Sequence, residues 1–190
     1  VEITARALPD PADDEPARYI EGRLQTPAGP LTVGGLYLPN GNPIGTEKFD
    51  YKLAWMDRLN RRARALLQSE EMFVLGGDYN VCPTDRDVYD AKAFASDALC
   101  QPQSRAAFRA LLNLGLTDAV RAFDPDGVAY TFWDYQAGAW AKNWGLRIDH
   151  LLLSPQAADR LSGVGIDKPE RGRPDPSDHV PVWCELDVAA

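Results

Sequence analysis

The sequence predicts one layered α/β domain, and three observations support this prediction. The chain has 190 residues, of which 45% are hydrophobic and 25% are charged, as in an ordinary globular domain. Stretches with helical apolar spacing alternate with short apolar runs that suit strands. The sequence shows no internal repeat, linker or low-complexity tail, so we expect residues 1–190 to form a single domain.

The first half of the chain predicts a hairpin, a long helix and a buried strand. Strand-like runs at residues 18–24 and 31–38 flank the turn-forming residues 26–30, which is typical of a hairpin. From Thr46 onward, apolar side chains recur every three or four residues, as on the buried face of a helix. The continuous apolar run at residues 72–77 predicts a strand that is buried on both faces.

The second half predicts one more helix and several strands. The helix is expected from Ser104 to Gly115, with serine and glycine at its capping positions. Apolar runs at residues 130–133, 148–153 and 180–183 predict that strands dominate the last third of the chain.

Composition and charge exclude several classes of protein. Cys82, Cys100 and Cys184 form no CxxC pair, which disfavours zinc binding and indicates a reducing compartment, the cytoplasm. No apolar run is long enough to span a membrane, and the start has no signal-peptide layout. The net charge of -8 disfavours a broad basic surface but allows a phosphate site where a metal ion supplies positive charge. The proline-rich acidic stretch 9–16 predicts an exposed loop.

Acidic and imidazole groups lie where predicted strands begin or end. Asp78 and Asn80 follow one buried run, Asp149 lies within another, and Asp178 and His179 precede the last. Such groups can be gathered by loops at the rim of a sheet, although each one alone is equally suited to a turn. An imidazole near a carboxylate can act as a general base, and a carboxylate such as Asp178 suits Mg²⁺ or Mn²⁺.

Aromatic, arginine and histidine side chains each allow two interpretations. The cluster at 131–136, with Trp140 and Trp144, is either a packed core and rim or a platform for a flipped sugar or base. His150 lies in an apolar run, which favours a packing role. The arginines are expected to be solvated, with DNA contact as the alternative. They are Arg58, Arg61, Arg62, Arg64, Arg171 and Arg173.

Five sequence blocks resemble one enzyme family. They are LYLPNG at 36–41, GDYN at 77–80, TFWDY at 131–135, GLRIDH at 145–150 and PSDHVPVW at 176–183. In this order they resemble exodeoxyribonuclease III, of the abasic-site repair branch of the endonuclease/exonuclease/phosphatase superfamily. The resemblance implies a four-layer α-β-β-α sandwich and Mg²⁺-dependent hydrolysis of DNA phosphodiesters, with Mn²⁺ as a second candidate. The implied substrates are double-stranded DNA with abasic sites or 3′ ends, and the complete protein is expected to be a monomer.

The same resemblance implies roles for individual residues. Asp78 would activate the attacking water, Asn80 would hold it, and Tyr37 would contact the scissile phosphate. His179, oriented by Asp149, would stabilise the transition state or take a proton. The residues implied to hold metal are Asp178 and, in a two-metal description, Asp78, Asn80 and His179.

A further set of residues is implied to contact the DNA. Phe132, Leu146 and Ile148 match the positions of an apolar pocket for an extruded abasic sugar, and Trp133 would support this pocket from behind. Asn40, in the first block, is implied to contact DNA as well. Such a pocket selects by exclusion, because an intact base would not fit.

One part of the chain departs from the family pattern. Residues 1–31 match neither the Asn-bearing first strand nor the metal-binding glutamate of the family. The chain is therefore expected to be about the C-terminal two thirds of an exonuclease III-like domain, incomplete at its N-terminus. We expect an exposed strand edge, an exposed apolar face, and weak or no nuclease activity for this segment alone. The alternatives are an enzyme of this fold acting on a small phosphorylated molecule or lipid, and a catalytically silent fragment.

Overall fold

The structure is a computed structural model that describes residues 1–9 and 17–189. The strands are β1 (Glu2–Ala5), β2 (Tyr19–Thr26), β3 (Gly29–Tyr37), β4 (Met72–Asp78), β5 (Thr117–Asp118), β6 (Asp149–Leu153), β7 (Leu161–Ile166) and β8 (Val182–Leu186). The helices are α1 (Glu47–Leu67), α2 (Pro102–Leu112), α3 (Ala119–Phe123), α4 (Ala139–Lys142) and α5 (Pro155–Ala158), with 3-10 turns at Asp85–Asp87 and Lys168–Gly172.

A six-stranded mixed sheet forms the centre of the molecule, in the order β1-β2-β3-β4-β6-β5. The predicted hairpin is β2 and β3, which pair antiparallel up to Thr26 opposite Gly29. Strands β3 and β4 are parallel, so they need a long crossover, and α1 supplies it. Strand β6 then pairs antiparallel with β4.

Helices α1 and α2 cover one face of this sheet. Trp55 and Leu59 of α1 and Phe108 of α2 pack in one buried cluster with Phe73 and Leu75 of β4. The helix predicted from Thr46 is confirmed as α1, because its apolar residues at three- and four-residue spacing form the buried stripe.

The small sheet of β7 and β8 packs on the opposite face. Val74 and Leu153 of the central sheet share a second cluster with Val164 of β7 and Leu186 of β8. The mixed α/β class is thus confirmed, with a helix layer and two sheets. In the described residues the second sheet is two strands wide.

The central sheet leaves part of this second face exposed, as expected. Strand β1 is an edge of the sheet. Ile3, Ile20 and Val33 lie on the face opposite α1 and are 45%, 46% and 40% exposed. In the part of the chain that the structure describes, no helix is both long and apolar enough to cross a membrane.

Three expectations about secondary structure need correction or lie outside the described residues. Helix α2 begins at Pro102, because proline suits the first helical turn, and Ser104 instead lies within the helix and donates to the Ala98 carbonyl at 2.6 Å. Residues 130–133 form no strand, only isolated bridges such as that of Phe132. Most of the predicted loop, residues 10–16, lies outside the described residues.

Three arginines expected in solvent are partly or fully buried. Arg58 and Arg171 are only 4% and 7% exposed, and both donate to backbone carbonyls. Arg62 makes a bidentate contact with the buried Glu21, with distances of 2.6 and 2.9 Å. A guanidinium is weakly hydrated and has five donors, so inward-facing carbonyls and carboxylates can satisfy it. The solvated arginines are Arg61, Arg64 and Arg173.

Candidate active site

Strand pairing brings three predicted site residues together at one end of the central sheet. Tyr37 is the register partner of Asp78 across the parallel β3–β4 pair. On its other side, Asp78 is opposite Asp149 on β6. The side chains therefore meet because of the register of three neighbouring strands, rather than through loop conformation.

A glycine allows β4 to lie this close to β3. Gly77 has a φ of +146°, and a Cβ atom at this position would lie 2.0 Å from the Leu36 carbonyl oxygen. Only glycine fits there without displacing β3. The backbone conformation of Gly77 therefore fixes the position of Asp78 at the end of β4.

Asp78 has an environment that suits a proton acceptor. Its two carboxylate oxygens accept from the backbone N–H of Asn80 at 2.7 Å and from the Asn80 Nδ2 at 2.9 Å. Burial, followed by the neighbouring charge of Asp149, raises the pKa of Asp78 to about 7. A carboxylate with a pKa near neutrality can take a proton from water efficiently.

Asn80 is fixed in orientation by its neighbours. It is 4% exposed and has a φ of 47°, a left-handed conformation that asparagine tolerates well. Its Nδ2 donates to the Leu38 carbonyl at 2.9 Å as well as to Asp78, and its Oδ1 accepts from the Asn40 Nδ2 at 3.1 Å. Asn40 and Asn80, both predicted site residues, therefore form one hydrogen-bonded pair.

Lys52 is a site-supporting residue that the sequence analysis missed. It is fully buried, and its Nζ donates to the carbonyls of Asn80 at 2.6 Å, Asn40 at 3.0 Å and Pro39 at 3.3 Å. Burial lowers the pKa of Lys52 to about 8. One signal was present in the sequence, since Lys52 lies three residues after Phe49 on the apolar stripe of α1.

We predict that Lys52→Met lowers kcat/KM on a DNA substrate by about a hundredfold, because small displacements of reacting groups have effects of this size. The buried carbonyls left without a donor should also lower the free energy of unfolding by about 1–3 kcal/mol. Kinetics and urea unfolding test this. Lys48→Met, on an exposed position of the same helix, is the control, and equal activity of the two variants would contradict the prediction.

His179 and Asp149 form the predicted pair. The Nδ1 of His179 donates to Asp149 Oδ2 at 2.9 Å, and Thr131 Oγ1 donates to the same oxygen at 2.6 Å. Burial opposes protonation of His179, but the hydrogen bond and charge of Asp149 outweigh it and raise the pKa of His179 above its ordinary value. The Phe132 ring packs edge-on against the imidazole with centroids 5.0 Å apart.

A cavity of about 530 Å³ opens at this end of the sheet. Most of the predicted catalytic, metal and DNA-contact residues line it. They are Tyr37, Asn40, Asp78, Asn80, Phe132, Leu146, Ile148, Asp178 and His179. Asp149 contacts the cavity-lining His179, whereas Trp133 is fully buried and its ring packs against Trp140 with centroids 5.2 Å apart.

The predicted aromatic platform divides into two parts. Trp133 and Trp140 pack on each other, and Tyr135 donates from its hydroxyl to the Pro176 carbonyl at 2.9 Å. These residues follow the packing interpretation. Trp144 instead lines the cavity together with Tyr89, a residue outside all five sequence blocks.

A buried network of ion pairs holds the loop that carries Leu146 and Ile148. Arg147, 1% exposed, donates to Asp87 at 2.6 Å and to Asp118 at 2.8 Å. Arg147 lowers the pKa of Asp87 to about 2 despite burial, which alone would raise it. These contacts fix the two apolar side chains on either side of Arg147.

His150 has the packing role that the sequence predicted. It is fully buried, its Nε2 donates to the Val81 carbonyl at 2.9 Å, and its ring lies against Tyr79 and Phe108. Burial lowers the pKa of His150 to about 4, so it is neutral at physiological pH.

The chemical type of the cavity residues suits a metal ion, but too few of them lie close together to form a complete set of ligands. Asp78, Asp178 and Asn80 offer the oxygen atoms that hard divalent cations prefer. Among residues 1–9 and 17–189, however, no three His, Cys, Asp or Glu side chains are grouped closely enough to hold an ion. The Nδ1 of His179 is already bonded to Asp149. The predicted metal residues thus face one cavity without forming a closed ligand set.

Comparisons with known proteins agree with this geometry. The model of the Endonuclease/Exonuclease/phosphatase family matches residues 4–179. Exodeoxyribonuclease III from Haemophilus influenzae is 31% identical over 97% of this chain and 72% of that protein. Among solved structures, the 3′ phosphatase NExo from Neisseria, bound to a product DNA hairpin, superposes with a TM-score of 0.91. It is 36% identical over 96% of this chain and 70% of its own.

A second solved structure is an AP endonuclease from Archaeoglobus fulgidus. It superposes with a TM-score of 0.84 and is 33% identical. The match covers 93% of this chain and 68% of the archaeal one. The similar proteins therefore include a DNA exonuclease, a DNA 3′ phosphatase and an abasic-site endonuclease.

Proposed function

This chain belongs to the endonuclease/exonuclease/phosphatase family, and from that premise we propose that it is a metal-dependent DNA-repair nuclease. Its substrates are double-stranded DNA at 3′ ends and at abasic sites. The observation that carries the proposal is the shared cavity, in which Asp78 and His179 lie beside the apolar side chains of Phe132, Leu146 and Ile148.

The chain's own residues have distinct roles in this proposal. Asp78 takes a proton from the attacking water, and Asn80 orients that water through its fixed amide. Tyr37, which is 53% exposed, contacts the scissile phosphate. His179, held by Asp149, donates to the phosphoryl oxygen on which negative charge develops. The apolar pocket accepts the extruded abasic sugar, with Asn40 contacting the DNA backbone.

Mg²⁺ is the metal that we propose, with Mn²⁺ as the second candidate. Asp178 would help to hold it, and in a two-metal description Asp78, Asn80 and His179 would line a second ion site. When bound, such an ion supplies positive charge to the phosphate, and this matters in a chain of net charge -8. We further propose that residues 1–190 are about the C-terminal two thirds of an exonuclease III-like catalytic domain, in a cytoplasmic enzyme that is a monomer when full length.

The test is cleavage of three duplexes: one with a central abasic-site analogue, one with a recessed 3′ end, and one with a 3′ phosphate. Each is incubated with Mg²⁺, with Mn²⁺ and with EDTA. We expect metal-dependent incision or trimming of at least one duplex, at a low rate for this segment alone because residues 1–31 lack the family's metal-binding glutamate, and none in EDTA. Failure on all three, together with hydrolysis of a small phosphate ester, would replace this proposal by the small-molecule phosphatase alternative.

A further inference from the structure

Two cavity-lining rings have no role in the chemistry described above. Tyr89 and Trp144 stack on each other, with centroids 5.3 Å apart and ring planes 8° from parallel. They remain 36% and 38% exposed, although large aromatic side chains usually bury most of their surface. Both line the cavity that contains Asp78 and His179.

The backbone holds this pair in place before any ligand arrives. The N–H of Tyr89 donates to the Gly145 carbonyl at 3.1 Å, and the N–H of Trp144 donates to the Ala139 carbonyl at 2.8 Å. Phe94 packs edge-on against Tyr89, with centroids 5.5 Å apart. Exposed rings that are fixed in this way lose little conformational freedom when a flat ligand stacks on them.

A cation lies next to this aromatic pair. The Lys142 ammonium lies 4.0 Å from the centroid of the Trp144 ring. Lys142 is exposed and its Nζ donates to the Ala137 carbonyl at 2.9 Å, which leaves two of its three N–H donors for a nearby phosphate. Aromatic faces together with a nearby cation are the elements that bind single-stranded nucleotides.

We propose that Tyr89 and Trp144 form a stacking site for the intact base of an unpaired nucleotide, with Lys142 binding its phosphate. This inference rests on the proposed function and makes it more specific. An abasic sugar has no base to stack, and the small apolar pocket of Phe132 and Ile148 serves that substrate. A cavity of about 530 Å³ is within the size range that holds a ligand as large as a nucleotide. Frayed or mismatched 3′ ends are thus a preferred substrate class.

The test is binding of a duplex whose unpaired 3′-terminal base is 2-aminopurine, a base whose fluorescence falls on stacking. EDTA is present, so cleavage does not interfere. We expect quenching by the unmodified chain and a Kd at least fivefold lower than for the same duplex with an abasic 3′ terminus. Trp144→Ala and Tyr89→Ala should remove the quenching and raise the Kd about tenfold, in line with the contribution of one stacked base. Trp144→Phe should restore most of the binding.

Trp183→Ala is the matched control, because Trp183 is 40% exposed on β8 and does not line the cavity. If an alanine variant fails to fold, the affinities of Trp144→Phe and Lys142→Gln test the proposal instead. We expect Trp144→Phe to bind the duplex almost as tightly as the unmodified chain, and Lys142→Gln to bind it more weakly. Unchanged quenching in Trp144→Ala, or no quenching by the unmodified chain, would overturn the stacking site. Absence of cleavage with quenching intact would instead count against the proposed nuclease function alone.

Discussion

Asp78→Asn is expected to lower DNA cleavage by at least a thousandfold and, at neutral pH, to make the fold more stable. The loss of cleavage follows from the removal of the proposed general base. The gain in stability follows because burial and Asp149 disfavour the ionised carboxylate, which raises the pKa of Asp78 from 3.8 to about 7. This shift corresponds to at most about 4 kcal/mol. We expect about 1–2 kcal/mol, since an asparagine cannot accept both hydrogen bonds from Asn80.

The raised pKa of Asp78 determines how the stability difference between the two proteins changes with pH. Between pH 3.8 and about 7 the folded state binds more protons at Asp78 than the unfolded state does, so stability decreases as pH rises through this window. The asparagine variant lacks this dependence. The difference in the free energy of unfolding should therefore be small near pH 4 and fully developed above pH 7.

Urea unfolding at pH 4.5, 6 and 7.5 in EDTA measures this difference. Asp159→Asn, which removes an exposed carboxylate outside the cavity, is the control and should show neither effect. A stability difference that stays constant across the three pH values would show that Asp78 does not titrate in this range.

Asp149→Asn is expected to lower kcat/KM by about a thousandfold or more, because the amide no longer holds the imidazole of His179 in one tautomer and orientation. The charge of Asp149 also raises the pKa of both Asp78 and His179. Removing this charge should therefore move both limbs of the pH–rate profile to lower pH.

Residual activity of Asp149→Asn followed across the pH range tests this directly. Asp149→Glu keeps the charge and should keep the two limbs in place, even though its longer side chain lowers the rate. A lowered rate with an unmoved profile in Asp149→Asn would mean that Asp149 has only a structural role.

The sequence predicted most elements of the fold because their signals are local. The apolar stripe of α1, the run that forms β4 and the turn of the β2–β3 hairpin each depend on residues close together in the chain. The burial of Arg58 and Arg171 was not predictable in this way, because it depends on carbonyl groups from distant segments. The failed strand at residues 130–133 has the same origin, since Phe132 pairs only with isolated positions.

The candidate site was predicted in composition rather than in arrangement. The sequence blocks identified Asp78, Asn80 and His179, and the resemblance implied Asp149 as the partner of His179, but neither indicated the support that Lys52 gives to Asn80. Lys52 was missed although a charged residue on an apolar stripe is itself a signal. Tyr89 was missed for a different reason: it lies in a loop with no motif, and only the folded chain places it against Trp144.

The alignment of Tyr37, Asp78 and Asp149 across three strands also affects how the molecule acquires activity during folding. These residues are far apart in the chain and become neighbours only when the parallel β3–β4 pair and the β4–β6 pair have both formed. Pairings of this kind form late, because long loops must close first. During refolding, the helical signal should therefore return early, because α1 depends on local contacts. Enzymatic activity should return only when the last of these strands has paired.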